Sequence, residues 1–209
     1  MCHVVADEDK FADDLLMFVM DEHLTSQRFH RNLKQFRSSS PFTIAIRFTV
    51  RRILEEHDIE IRNIFNSLIG YGNLMNNFKD FITTATSVFV QRGYCEKEFV
   101  EFCAFVAKLA TLCYVNSTKN CIPLAAAAIV ELVKHFKVSG EFTSESWNKL
   151  NKEMQEQTLR SALVGGTKSM SQSEVDSVAN HKSTFSPRDS QLFITIKDIS
   201  AMATFFDYK

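Results

Sequence analysis

The sequence predicts an all-α fold, a single globular bundle of about seven to eight helices around an apolar central hairpin, followed by a disordered tail. Three observations carry that expectation. Apolar residues make up 45% of the 209, and over most of the chain they recur at threes and fours, the period of a half-buried helix. Only 6 Gly and 3 Pro are present, too few for a turn-rich β-sandwich or a dinucleotide-binding fold. The aromatic complement is 19 Phe against 4 Tyr and 1 Trp, which suits a packed helical interior better than a polar cleft. A bundle is expected over residues 7–160 and a tail over 161–209.

The first helix is read over residues 7–24. Asp7, Glu8 and Asp9 favour its positive end, and Phe11, Leu15, Phe18, Val19 and Glu22 keep helical spacing. Residues 25–40 are polar and basic and read as a loop. Pro41 stands just ahead of the next start, where its missing N–H is harmless. From Thr43 to about Ile69 runs a long amphipathic pattern through Ile46, Val50, Ile53, His57, Ile61, Ile64, Phe65 and Leu68, with a bend near Asp58. Gly70-Tyr71-Gly72 breaks it.

Asn73 is the expected N-cap of a helix reaching Gln91, and Gly93 its stop. Residues 99–115 follow, apolar on nearly every side, the mark of a central buried helix. A turn over 116–119 leads to a helix over 121–136, with Pro123 in its first turn, Ala125–Ala128 permitting a close neighbour, and Ser139-Gly140 closing it. Ser144 and Glu145 open a more polar helix containing Trp147 and Leu150, which ends near Thr158. Between Leu163 and Ser190 serine dominates and apolar periodicity vanishes, so this stretch reads as disordered. Apolar character returns over 192–208.

Composition also excludes. With 24 Lys+Arg against 25 Asp+Glu the net charge is −1, and no basic excess exists to neutralise a nucleic acid. No run of 18 apolar residues predicts a membrane span, and the first ten residues lack a signal-peptide layout. The five cysteines are odd in number with no CxxC pair, so they read as reduced thiols of a cytoplasmic protein. The spacings separating Cys95, Cys103, Cys113 and Cys121 do not suit a zinc knuckle.

No catalytic constellation emerges. The six histidines are scattered, with no HExxH, GxSxG or phosphate loop. His57 reads as a packed helix residue. Glu55, Glu56, Asp58 and Glu60 splay around the helix as a solvated face. Cys95 stands near a helix start, where a thiol can acidify, yet reads as structural. No enzyme, metal or cofactor is expected. A central apolar helix wrapped by amphipathic ones instead suits a surface groove that takes up an amphipathic partner helix.

Several short segments resemble the B-cell lymphoma 2 family of apoptosis regulators. Cys103-Ala104-Phe105-Val106-Ala107-Lys108, followed by Cys121-Ile122-Pro123-Leu124-Ala125, is similar to that family's central hairpin. Thr49-Val50-Arg51-Arg52-Ile53, with Phe65 beyond it, resembles the third homology segment. Leu15-Leu16-Met17-Phe18-Val19, continued by Leu24-Thr25-Ser26-Gln27-Arg28, resembles the fourth, and Ser146-Trp147-Asn148-Lys149-Leu150 the second. The segments occur in the family's order between Asp7 and about Thr158.

The resemblance implies a non-enzymatic regulator of apoptosis, anti-apoptotic in sign, whose partners are the amphipathic helices of pro-apoptotic family members. It places Ile61, Phe65 and Leu68 on one wall of a partner-helix groove, with Phe89, Val90 and Phe102 as floor and opposite wall. The implied location is the cytoplasm, with peripheral contact at the mitochondrial outer membrane. Two alternatives stand beside it: a membrane-permeabilising effector, and a divergent bundle whose groove is covered and which serves as a scaffold. The chain also departs from the family. Where the first homology segment has an Asn-Trp-Gly-Arg run, this chain reads Gly93-Tyr94-Cys95-Glu96-Lys97-Glu98, so that Lys97, a point charge without a guanidinium fork, stands in for the arginine. Leu54 fills a position that is small in the family, with Glu55 at the acidic one. The family's C-terminal anchor is missing, since residues 192–208 carry Lys197 and Asp198, expensive in hydrocarbon.

Overall fold

A helix with no polar face has to sit where other helices can cover it from every side, and the chain arranges itself around such a helix. In the computed structural model, which describes residues 5–25, 40–70, 73–116 and 118–166, seven helices follow one another: α1 (Asp7–Thr25), α2 (Ile44–Glu56), α3 (Asp58–Gly70), α4 (Leu74–Arg92), α5 (Glu96–Val115), α6 (Cys121–Ser139) and α7 (Ser146–Gly166). No strand occurs among the described residues. Helix α5 packs against each of the other helices, and every residue from Phe99 to Cys113 is buried. The all-α bundle around an apolar centre is therefore what the chain forms.

Local chemistry explains most boundaries. Thr43 caps α2 through its Oγ1, which accepts from the Ile46 N–H. Asn73 caps α4 by accepting from Met75 and Asn76. Gly93 and Gly140 end α4 and α6 with positive φ of 84° and 80°, a region that favours glycine. Helix α5 begins at Glu96, three residues ahead of the expected Phe99, because Glu96 and Glu98 complement the positive helix end.

Two expectations need correcting. The amphipathic run from Thr43 to Ile69 is two helices rather than one bent helix. His57 leaves helical geometry with φ −116° and ψ 17°, so it is the C-cap of α2, not an inner-face residue of a continuous helix. The Asp58 carboxylate then opens α3 and binds Arg62 at 2.7 Å one turn on, which favours a fresh helix start. Helix α7 also continues past Thr158 to Gly166. Leu150 and Met154 are fully buried, bonds from Thr43 to Asn151 and from Arg52 to Gln157 tie α7 to α2, and no Gly or Pro intervenes before Gly165 to stop the helix. The boundary expected at residue 160 thus falls inside α7. The serine-rich and apolar parts of the expected tail from 167 onward, the loop over 26–39, and Tyr71 and Gly72 lie outside the described residues.

At one end of the bundle the core is a continuous aromatic cluster. Phe99 lies 5.7 Å from Phe11, 5.8 Å from Tyr94 and 6.2 Å from Phe142. Trp147 closes the set, 5.0 Å from Phe11 and 4.8 Å from Phe142. Offset and edge-on ring pairs of this kind add about 0.5–1.5 kcal/mol each beyond their buried area.

Candidate partner-helix site

Helix α3 carries Ile61, Phe65 and Leu68 at intervals of four and three, one continuous stripe. The stripe faces inward. Ile61 is fully buried, while Phe65 and Leu68 each keep 7% of their surface. Helix α3 packs on both α5 and α4, so the expected wall residues are in contact with the molecule's own interior.

The other expected groove residues sit deeper. Phe89 on α4 and Phe102 on α5 stack at 5.1 Å, and Phe89 also meets Phe136 of α6 edge-on at 5.7 Å. Both are enclosed, at 0% and 1% exposure. Val90 is half-buried against the same core. Phe65 makes no ring contact with Phe89 or Phe102 among the described residues. The structure thus stacks Phe89 on Phe102 beside Phe136 of α6, and the α3 stripe joins the same core. Trp147 is half-buried in the aromatic cluster at the start of α7.

Lys97 lies in the first turns of α5, with its Nζ 3.9 Å from Glu101 Oε1 one turn along. Glu101 itself is buried, and its pKa is pushed up to about 7 by burial, which the Lys97 charge only partly offsets. Arg92, at the end of α4, binds Glu98 at 3.0 Å. The cations around the start of α5 therefore already have carboxylate partners.

Two contacts that the sequence did not single out lie at the two ends of α3. Asn77 on α4 donates from Nδ2 to the Leu68 carbonyl of α3 at 2.8 Å, satisfying one of the unpaired carbonyls of the last helical turn. It is a polar tie between α3 and α4. At the other end of α3, Asp58 and Arg62 act on a buried pair, His23 of α1 and Lys108 of α5, 3.2 Å apart. The signal for Asn77 was available only as an amide in the first turn of α4, facing back along the chain.

The outward faces of α3 and α4 differ. On α3, Ile59 and Ile69 are 73% and 43% exposed and flank exposed Arg62, Asn63 and Asn66. On α4 the exposed positions are Asn76, Lys79, Asp80, Thr83, Thr84, Ser87 and Gln91. Thr83, Thr84 and Ser87 each return their hydroxyl to the carbonyl four residues back. The outer face of α3 therefore keeps two apolar residues, Ile59 and Ile69, while that of α4 is polar. Among the described residues no group of three or more His, Cys, Asp or Glu is placed to hold a metal ion, and no helix is long and apolar enough to cross a membrane. Comparison of the chain with protein-family models, with curated proteins and with solved structures gave no match.

Proposed function

We propose that this protein is a non-enzymatic regulator of apoptosis, anti-apoptotic in sign, that takes up an amphipathic death-promoting helix at the seam of α3, α4 and α5. The observation that carries the reading is α5 itself, buried on all sides from Phe99 to Cys113. Two flanking helices turn apolar stripes onto it, Ile61–Phe65–Leu68 from α3 and Phe78–Phe81–Ile82–Ala85–Phe89 from α4. The resemblance adds support, because its segments fall on α1, α2, the α5–α6 hairpin and the start of α7 in the family's order.

In this reading the site works by exchange. Phe65 and Leu68 retain only 7% of their surface, so a partner helix binds as α3 swings away from α4 and the partner's apolar residues take over the exposed stripe. Each anchor contributes about 1.5–3 kcal/mol of burial, offset by the α3–α4 contacts given up and by ordering of the peptide. Affinity is therefore lower than for a standing open trench, and association slower than for rigid docking. Lys97 offers a point charge to an acidic residue of the partner, in competition with Glu101. The protein meets its partners in the cytoplasm or at the surface of the mitochondrial outer membrane.

Isothermal titration with a panel of amphipathic death-promoting helical peptides tests the reading. The expected result is saturable binding to at least one member, weakened by Phe65→Asp in a variant whose far-ultraviolet circular dichroism is unchanged. Absence of heat with every peptide at high micromolar concentration rejects it.

A further inference from the structure

Three sulfur atoms meet at the end of the bundle where α5 turns back into α6. Cys113 closes the buried stretch of α5, Cys121 is the first residue of α6, and Met75 lies in the first turn of α4. Cys121 Sγ is 3.8 Å from Met75 Sδ, and the thiols of Cys113 and Cys121 face and interact with each other. Both cysteines are free and fully buried, and Met75 is half-buried against the core. The turn above them is open, with Tyr114 and Val115 at 37% and 44% exposure and Asn116, Lys119 and Asn120 exposed. The partner-helix reading makes no use of this cluster.

We propose that Cys113, Cys121 and Met75 form a binding site for one copper(I) ion, held by two thiolates and a thioether. The ligand set selects the metal. Soft thiolate and thioether sulfur suits copper(I), whereas calcium, magnesium and manganese want oxygen. Structural zinc wants four nitrogen or sulfur ligands, and the described residues bring no third His, Cys, Asp or Glu to the two cysteines. The spacing also fits. Metal–thiolate bonds of about 2.3 Å put the sulfurs of a planar three-ligand set about 4 Å apart, and Cys121 and Met75 already stand at 3.8 Å.

The proton balance is simple. Copper(I) forms bonds to Cys113 Sγ, Cys121 Sγ and Met75 Sδ, the two thiol protons pass to solvent, and the site gains one net negative charge. Cys121 at the start of α6 is placed where the unpaired N–H groups of the helix favour a thiolate.

The experiment uses the 209-residue chain in a Cys2→Ser/Cys95→Ser background, which removes the exposed Cys95 and the N-terminal thiol. Copper(I) is supplied anaerobically in competition with the chelator bicinchoninate. The expected result is one equivalent withheld from the chelator, with thiolate-to-copper absorbance in the near ultraviolet and a melting temperature raised by the metal. Cys113→Ser and Cys121→Ser should each weaken binding at least about 100-fold. Met75→Leu, which keeps the volume and hence the fold, should weaken it about 10-fold. No copper withheld by the parent chain overturns the proposal. So does undiminished affinity in Met75→Leu together with Cys121→Ser, or a parent chain that loses two hydrogens to a Cys113–Cys121 disulfide and binds no metal.

Discussion

Lys108 Nζ lies 3.2 Å from His23 Nδ1, and both side chains are buried where α1 ends against α5. A lysine ammonium can only donate, so toward a charged Lys108 the Nδ1 of His23 accepts and the imidazole is neutral, with its proton on Nε2. Burial lowers the His23 pKa first, and the Lys108 and Arg62 charges add to that effect while Asp58 opposes it. Burial and Arg62 likewise lower the Lys108 pKa, against Asp58 and Glu22. The folded state thus resists protonating His23, whereas the unfolded chain takes up that proton near about pH 6.5. The His23 contribution to stability is expected to fall as pH drops through about 6.5, the loss ending once the pH is below the folded-state pKa. Urea unfolding midpoints of Glu101→Gln between pH 8 and 5, free of the opposing titration of Glu101, check this. His23→Gln, which has no proton to take up, should remove that part of the acid loss.

Glu101 has the opposite sign in nearly the same window. Its folded-state pKa of about 7 lies above the ordinary carboxylate value of 4.5, so the folded state holds a proton that the unfolded chain releases. The stability this gives is present in full below about pH 4.5 and is lost as pH rises through about 7. Glu101→Gln should therefore stabilise the protein at pH 8, by on the order of 2–3 kcal/mol, and make little difference at pH 5. Because His23 and Glu101 offset one another near pH 6, the parent protein should show a flat pH profile that splits into two slopes in the single variants. Equal effects of Glu101→Gln at both pH values would show that Glu101 stays ionised in the folded state.

Phe142 tests how much the aromatic end of the bundle holds. Its N–H reaches the Phe136 carbonyl at 2.9 Å, and its ring touches Tyr94, Phe99 and Trp147. Phe142→Ala should destabilise by about 3–5 kcal/mol. Trp147 is the only tryptophan in the chain, so its fluorescence should shift toward that of exposed indole at lower urea concentration.

That Phe142 carries such weight was not legible in the sequence, and the reason is general to this molecule. Periodicity assigns a residue to a face of its own helix, and that was enough for α5, whose every face is apolar and which every other helix covers. Caps at Asn73 and stops at Gly93 and Gly140 were legible too, because they depend on local backbone chemistry. Residues outside helices have no period, so Phe42 and Phe142, both fully buried, gave no signal. The joint at His57 was legible only as a bend near Asp58, because neither Gly nor Pro marks a full break. For the candidate site, spacing placed Ile61, Phe65 and Leu68 on one stripe, but depth depends on what covers a stripe. Only the packing shows that Phe89 and Phe102 are interior and that the α3 stripe joins the same core. The two ionisable side chains buried in α5 have partners that periodicity does not show: Lys97 one turn back on α5 for Glu101 and His23 of α1 for Lys108.

Gly93 and Gly140 both have positive φ, but they should respond differently to substitution. Gly93 combines φ 84° with ψ 170°, a region open essentially to glycine alone. A Cβ there would come within 3.2 Å of Glu141 Oε2, the atom that accepts the Tyr94 N–H at 2.7 Å. Gly140 is an ordinary left-handed cap, and a Cβ added to it would meet no atom within 4 Å. Gly93→Ala should cost about 2–3 kcal/mol and disturb the aromatic cluster through Tyr94. Gly140→Ala should cost about 1 kcal/mol, and Gly140→Asn less. Thermal melts followed by Trp147 fluorescence distinguish them.

Asn77 offers the sharpest test of the exchange mechanism. If a partner helix enters as α3 leaves α4, the bond from Asn77 Nδ2 to the Leu68 carbonyl belongs to the closed state alone. Asn77→Ala leaves Ile61, Phe65 and Leu68 in place and removes that tie, worth about 1 kcal/mol. Stability should fall by that amount. Apparent affinity for a helical peptide should rise at the same time, by up to about fivefold, because a larger fraction of molecules is open to receive it. The two effects have opposite signs, which a general loosening of the fold would not produce. Parallel urea denaturation and isothermal titration of the same preparation read both. Reduced stability with unchanged or weaker peptide binding would mean that α3 and α4 do not part when the partner docks.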